Sequence, residues 1–164
     1  DEVLLPLMRR MGDEWEAGRI TVAQEHFASA YVREQLVAML LRLGAQPNRG
    51  EHVACVTFPG DRHELALLAL TVHLVLRGCR VTYLGVDVPE DALIDFLDRV
   101  RPDCLCVSIV VAVDPATLSS FARALRRAAP ATTRIVIGGA GLPPRARPIK
   151  GVELITDARV LEIG

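Results

Sequence analysis

A chain of 164 residues, about half of them hydrophobic, has room for one α/β domain with a small appendage and can bury a core of ordinary size. Four Phe, two Tyr and one Trp are the only aromatic residues, so that core must come mainly from Leu, Val, Ala and Ile. The formal net charge of −1 leaves no overall footprint for nucleic acid, and the longest apolar run, Leu65–Leu76, broken by Thr71 and His73, is too short to span a bilayer.

At the amino terminus, Leu4, Leu7, Met8, Met11 and Trp15 recur at helical spacing over residues 3–17, and Gly18 ends the pattern. A second helix is expected from Thr21-Val22-Ala23-Gln24, which has the form of a capping box. Phe27, Ala30, Val37 and Leu41 read as its buried face, with Leu36 and Leu40 widening it, and Gly44 followed by Pro47 is a stop signal. Two helices alone bury little, so residues 1–48 read as a partial helical bundle that caps the next domain. The chain opens on Asp1 rather than Met and carries no visible signal peptide, which reads as a trimmed cytoplasmic protein.

From residue 49 onward the rhythm becomes α/β. Strands are expected at Val53–Phe58, Arg80–Leu84, Cys104–Val111, Arg134–Ile137 and Val152–Ile155. Helices are expected at Arg62–Arg77, closed by Gly78, from Pro89 in a first-turn position, and from Asp114-Pro115. Three prolines within Gly141–Gly151 make the last crossover irregular. Strands apolar throughout and alternating with helices imply a parallel, Rossmann-like (flavodoxin-like) sheet covered on both faces. Cys55, Cys104 and Cys106 fall within strands and Cys79 just before one; no second pair stands at zinc spacing, and buried reduced thiols are expected.

Ligands of open parallel sheets bind outside the carboxyl ends of the strands. Asp61 and His63 follow the first strand, Ser108 ends the third, and Gly138-Gly139 follow the fourth. Taken singly, each has an ordinary explanation as a cap, a solvated histidine, a strand hydroxyl or a tight turn. Their joint spacing is more specific. Asp61-Arg62-His63-Glu64-Leu65-Ala66 is followed by 41 residues, then Ser108-Ile109-Val110, then 27 residues and Gly138-Gly139. This resembles the signature of cobalamin-binding domains in which a histidine displaces the cofactor's own base, with Ala66 in place of the usual Gly and Val110 in place of the usual Leu. The resemblance implies that His63 ligates cobalt, that Asp61 holds its ring, and that Gly60, Arg62, Ala66, Ser108, Val110, Gly138 and Gly139 surround the cofactor and its displaced tail.

In the helical half, Trp15 is followed by nine residues and Glu25-His26, and Val22, Glu25, His26 and Ser29 share one helix face. Ahead of a cobalamin domain, this pattern resembles the light-sensing domains of CarH-type MerR-family regulators. It implies a non-enzymatic photoreceptor in which Trp15, Val22 and Glu25 pack around the adenosyl group of adenosylcobalamin, and His26 becomes a second cobalt ligand after photolysis. The apolar face that two helices cannot hide alone implies a homo-oligomer, or docking to a missing segment; the resemblance implies an output through a DNA-binding domain or a separate regulator and, as in photocobilin relatives, a bilin as second chromophore. The competing readings are a corrinoid carrier of a methyltransferase or mutase, which needs an open upper face, and an α/β domain without cofactor.

Overall fold

A computed structural model describes residues 10, 12–15, 17–44, 50–144, 146–156 and 161. In chain order its named elements are α1 (Val22–Leu43), β1 (His52–Thr57), α2 (Glu64–Leu76), β2 (Arg80–Gly85), α3 (Glu90–Val100), β3 (Cys104–Ser108), α4 (Pro115–Ala128), β4 (Arg134–Gly138) and β5 (Glu153–Ile155). Residues 12–15 are helical as well, and Gly18, with φ +68°, turns the chain after them. The apolar positions Leu4, Leu7, Met8 and Met11, and Pro47 of the stop signal, lie outside the described residues.

Every strand pairing is parallel, and the sheet order is β2-β1-β3-β4-β5. This is the flavodoxin-like order, whose switch point lies between β1 and β3. Alternation along the strands divides the core. Ala54, Val56, Leu105, Val107, Ile135 and Ile137 meet α3 and α4 on one side, through Leu93, Leu97, Leu118, Phe121 and Leu125. Val53, Cys55, Cys104, Cys106 and Val136 meet Leu67 and Leu74 of α2 on the other. No helix bridges β4 and β5; the irregular crossover holds a tight pairing between Ile149 and Val152.

Local chemistry explains the helix starts. Thr21 Oγ1 accepts the Gln24 amide at 3.2 Å while Gln24 Oε1 accepts the Thr21 amide at 2.9 Å, closing the capping box. Asp114 accepts the amides of Ala116 and Thr117, with Pro115 in the first turn where its missing N–H costs nothing. Pro89 sits one residue earlier than expected, as the cap of α3 rather than within it.

The expected buried face of α1 holds at Leu36, Val37 and Leu40 and is corrected at Phe27, Ala30 and Leu41. Phe27 and Leu41 are 76% and 75% exposed, and Ala30 is exposed too. The packed stripe is Val32 and Leu36, with Val37, Leu40 and Leu43 beside them, lying on Leu65, Leu68 and Val72 of α2. Both stripes of α1 are apolar, and only the neighbour decides which one is covered. Replacing Leu36 by Ala is therefore expected to cost about 2–4 kcal/mol in chemical denaturation. Phe27→Ala is expected to stay within about 0.5 kcal/mol.

All four cysteines are buried and unpaired by disulfides. Cys104 and Cys106 share a face, with their sulfurs 3.8 Å apart. That contact and burial push the Cys104 thiol far above its ordinary range, and Cys55 and burial push Cys106 up against the opposing pull of Cys104. Among the described residues, no group of three or more His, Cys, Asp or Glu is arranged to hold a metal ion. Because all three are buried, Cys55, Cys104 and Cys106 should resist an aromatic disulfide reagent in the native state and react at once in denaturant; fast native labelling of any of them would contradict the burial described.

Candidate functional site

The site is built where β1 leaves the sheet. The Phe58 amide still donates to the Ser108 carbonyl at 2.9 Å, and the chain then turns through Pro59 and Gly60, with the Asp61 amide returning to the Phe58 carbonyl at 2.9 Å. Gly60 has φ +82°, the left-handed geometry that the second central position of such a turn demands. Asp61 is thereby driven inward until only 3% of its side chain is exposed.

Its carboxylate is fully used. Oδ1 accepts the His63 amide at 3.0 Å and the His63 Nδ1–H at 2.8 Å. Oδ2 accepts the amides of Val110 at 2.6 Å and Val111 at 3.2 Å, just past the end of β3. Burial alone would raise the Asp61 pKa; the amide of Val110, followed by the amide and ring of His63 and the amide of Val111, outweighs it and holds the carboxyl below the usual range. Because Asp61 Oδ1 can only accept, the neutral His63 ring carries its proton on Nδ1, leaving a bare lone pair on Nε2. That nitrogen has no partner among the described residues, and the side chain is 57% exposed. An exposed imidazole with its second nitrogen committed to a carboxylate is a donor set that suits a transition metal.

Ser108 stands in register with Thr57 and Gly138, and shares with Cys104 and Cys106 the face toward α2. Its hydroxyl makes no hydrogen bond to a described residue. Ala66 lies in the first turn of α2, half-buried. At Gly138 a Cβ would come within 2.8 Å of Ile155, and at Gly139, with φ +129°, within 2.1 Å of the Ile109 carbonyl. The glycine pair is therefore required by close backbone approach within the protein itself, whatever else it borders.

Three supports were missed in the sequence. Thr57 Oγ1 donates to the Asp61 carbonyl at 2.6 Å and accepts the Asp87 amide at 3.0 Å. Asp87, at φ +55°, accepts from the Gly60 amide at 3.0 Å and the Arg62 Nε at 3.1 Å. Gly141 plays the same role as Gly139, since a Cβ there would meet the Val111 carbonyl at 2.2 Å. The signal for Asp87 was a carboxylate between a strand end and a helix-starting proline, a pattern shared by many solvent-facing turns.

The helical half approaches from the side of α2. Arg33 on α1 donates to Glu64 at 2.6 Å, and Tyr83 donates to the same carboxylate at 3.0 Å. Arg33 outweighs burial and, helped by Tyr83, lowers the Glu64 pKa, while burial and this hydrogen bond raise that of Tyr83. With Arg33 bonded to Glu64, the first residue of α2, and Leu36, Leu40 and Leu43 in one apolar cluster with Leu65, Leu68 and Val72 further along it, α1 and α2 run in the same direction. The seven residues from Arg33 back to His26 carry α1 roughly 10 Å beyond the start of α2, past the carboxyl edge of the sheet.

On that overhang, Ser29 donates to Glu25 at 2.6 Å. The Nδ1 of His26 lies 2.9 Å from both the Val22 carbonyl and a Glu25 oxygen, so the neutral ring again keeps its proton on Nδ1 and offers Nε2. Trp15 and Val22 are 46% and 57% exposed. Among the described residues, no hydrogen bond or ion pair joins Trp15, Val22, Glu25 or His26 to the Asp61–His63 loop.

Residues 51–155 match a family profile described as B12 binding domain. The chain belongs to the B12-binding domain family. A second profile of the same description matches residues 1–39 of this B12-binding chain. It is CarH-like: it is 38% identical over 140 residues to the HTH-type transcriptional repressor CarH of Myxococcus xanthus, covering 85% of this chain and 46% of that one. It is 41% identical over 142 residues to the repressor CarA of the same organism, covering 86% and 46%. The chain thus spans about half the length of these curated relatives. In fold, it resembles the monomethylamine corrinoid protein of Methanosarcina barkeri, with a TM-score of 0.73 at 17% identity over 93% of this chain and 74% of that one. A cobalamin-binding protein from Desulfitobacterium hafniense shares the fold at a TM-score of 0.51 and 21% identity, over 92% and 72%.

The Asp61 carboxylate yields a pH prediction for this B12-binding domain. Its pKa is depressed in the folded state, so its stabilising effect is complete above the ordinary unfolded value of about 3.9 and is lost as pH falls through the lower folded value. Asp61→Ala leaves the amides of Val110, Val111 and His63 without this acceptor and should cost about 2–4 kcal/mol near neutrality. The loss relative to wild type should narrow below pH ~4, as followed by denaturation at several pH values.

Proposed function

We propose that this chain is the cobalamin-holding, light-sensing module of a transcriptional regulator, with residues 49–164 holding the cofactor and residues 1–48 capping its upper face. One observation carries the reading: two histidines, His63 at the sheet edge and His26 on the overhanging helix, each have Nδ1–H committed to oxygen acceptors and Nε2 left as a free donor. Cobalamin in its adenosyl form, when bound, would supply a cobalt that accepts imidazole donors and a light-sensitive cobalt–carbon bond.

The protein's own residues divide the remaining work. His63 offers the lower imidazole, and Asp61 fixes its tautomer and orientation while being fixed in turn by Val110 and Val111. Gly60 and Arg62 shape the loop; Ala66, Ser108, Gly138 and Gly139 border the face on which the displaced nucleotide tail would lie. Trp15, Val22 and Glu25 occupy the cap edge and would shield the upper group in the dark. His26 would be the second donor, brought to the cofactor by a shift of α1 on α2. Such a shift changes the apolar surface presented by Phe27, Tyr31 and Leu41, all exposed here, and so couples light to assembly of a homo-oligomer and to a DNA-binding partner.

The deciding measurement is the absorption spectrum of the cobalamin-loaded chain before and after green light. In His63→Ala, the dark spectrum should move toward a water-ligated form, with retention of the cofactor falling. In His26→Ala, the dark spectrum should match wild type and photolysis should proceed, but the stable illuminated spectrum and the light-dependent change in scattering profile should be lost. An identical illuminated spectrum in wild type and His26→Ala would discard the photoswitch in favour of a corrinoid carrier.

A further inference from the structure

The net charge of −1 conceals an uneven distribution. A cleft of about 410 Å³ is lined by Arg123, Arg126, Arg127 and Lys150, with Pro148 and Ile149 as its apolar wall. Among the described residues, no carboxylate lines it. The cleft lies between the last turns of α4 and the turn at 149–152. Because α4 runs back from the carboxyl edge of the sheet, this end lies at the amino edge, opposite the His63 loop.

The cleft is built rather than incidental. The Val152 amide donates to the Ile149 carbonyl at 3.0 Å, placing Lys150 and Gly151 at the tip of a tight turn, with Gly151 at φ +75°. A Cβ on Gly151 would meet Arg126 Cδ at 2.8 Å, so glycine lets the turn lie directly on that side chain. Arg126 is itself pinned: its guanidinium donates to the carbonyls of Thr133 at 2.6 Å and Ala129 at 3.0 Å, and to that of Pro130.

Arg126 thus answers the carbonyl groups at the end of α4, the usual reason for basic residues in a last turn. Arg123, Arg127 and Lys150 are not needed for it, and none of the three makes a hydrogen bond or ion pair with a described residue. Several cations elsewhere are matched: Arg33 with Glu64, Arg62 with Asp87, Arg99 with Asp95 and Arg134 with Glu153. Four like charges around one concavity repel one another, and a bound anion removes that cost. Planar guanidinium groups match phosphate oxygens two at a time, and an ammonium adds a point charge. The volume and the apolar wall leave room for an organic part beside the phosphates.

We propose that this cleft binds a phosphorylated small molecule of about nucleotide size, with its phosphates on Arg123, Arg127 and Lys150 and its organic part against Pro148 and Ile149. The assignment is independent of the cofactor reading, because it rests on residues at the opposite edge of the sheet.

Lys150 is the chain's single lysine, which gives the test a specific reporter. An amine-reactive reagent can modify only Lys150 and the amino terminus, and peptide mass spectrometry reads the two separately. At low salt, ATP should slow labelling of Lys150 at least about fivefold and leave the amino terminus unaffected, with added salt weakening the protection. In the double variant Arg123→Gln/Arg127→Gln, ATP affinity by calorimetry should fall by about 100-fold and the protection should vanish. Circular dichroism should be unchanged, since both side chains are exposed. Arg99→Gln, on α3, should behave as wild type. Absence of ATP protection in the wild type, or equal protection in the double variant, would overturn the proposal. Stronger protection by short duplex DNA than by ATP would overturn it too, assigning the surface to a nucleic-acid backbone.

Discussion

A carboxylate that is 97% withdrawn from solvent must be answered donor by donor, and at Asp61 the answer comes from two parts of the chain. One oxygen organises the residues immediately after it, holding the amide and ring of His63; the other reaches across to the exit of β3. The loop carrying His63 can therefore occupy its place only if β1 and β3 are already paired in register. Asp87 supplies the complementary restraint from the β2 side, through Gly60 and Arg62. The imidazole is consequently referenced to the exits of three adjacent strands, a precision that a free loop lacks.

The cap is fixed by different means. Apolar contact between Val32 and Leu36 and the α2 residues Leu68 and Val72 is non-directional, and sets proximity more than angle. The Arg33–Glu64–Tyr83 group adds direction, and Glu64 is the residue next to His63. Cap orientation and ligand loop are thus joined through one short stretch of backbone, while the far side of α1 remains uncommitted.

Much of this was legible in the sequence where the signals are local. Capping at Thr21 and Asp114, the parallel strands, the irregular last crossover and the adjacency of Asp61 and His63 depend on neighbours within a few residues. What was not legible depends on partners far along the chain. The apolar stripe through Phe27 and Leu41 and the one through Val32 and Leu36 have equal claims by periodicity, and α2 selects the second. Asp87 reads as an ordinary turn acid until the fold lays it beside Gly60. The spacing to Gly138-Gly139 was visible, but the reason for glycine there, the closeness of Ile109 and Ile155, is a property of the assembled sheet.

The shared direction of α1 and α2 has an electrical consequence. Both helices aim their amino ends at the same edge, so their dipoles lie side by side rather than cancelling, and each first turn carries an acid, Glu25 or Glu64, against its positive end. Dipoles aligned side by side repel, and an acid at either positive end reduces that repulsion. Glu64 opposes that push twice, by neutralising the start of its own helix and by holding Arg33 of the other. The cap thus rests against a small standing load borne by one exposed-edge carboxylate, and whatever draws Glu64 away from Arg33 also releases the force that tends to swing α1 outward.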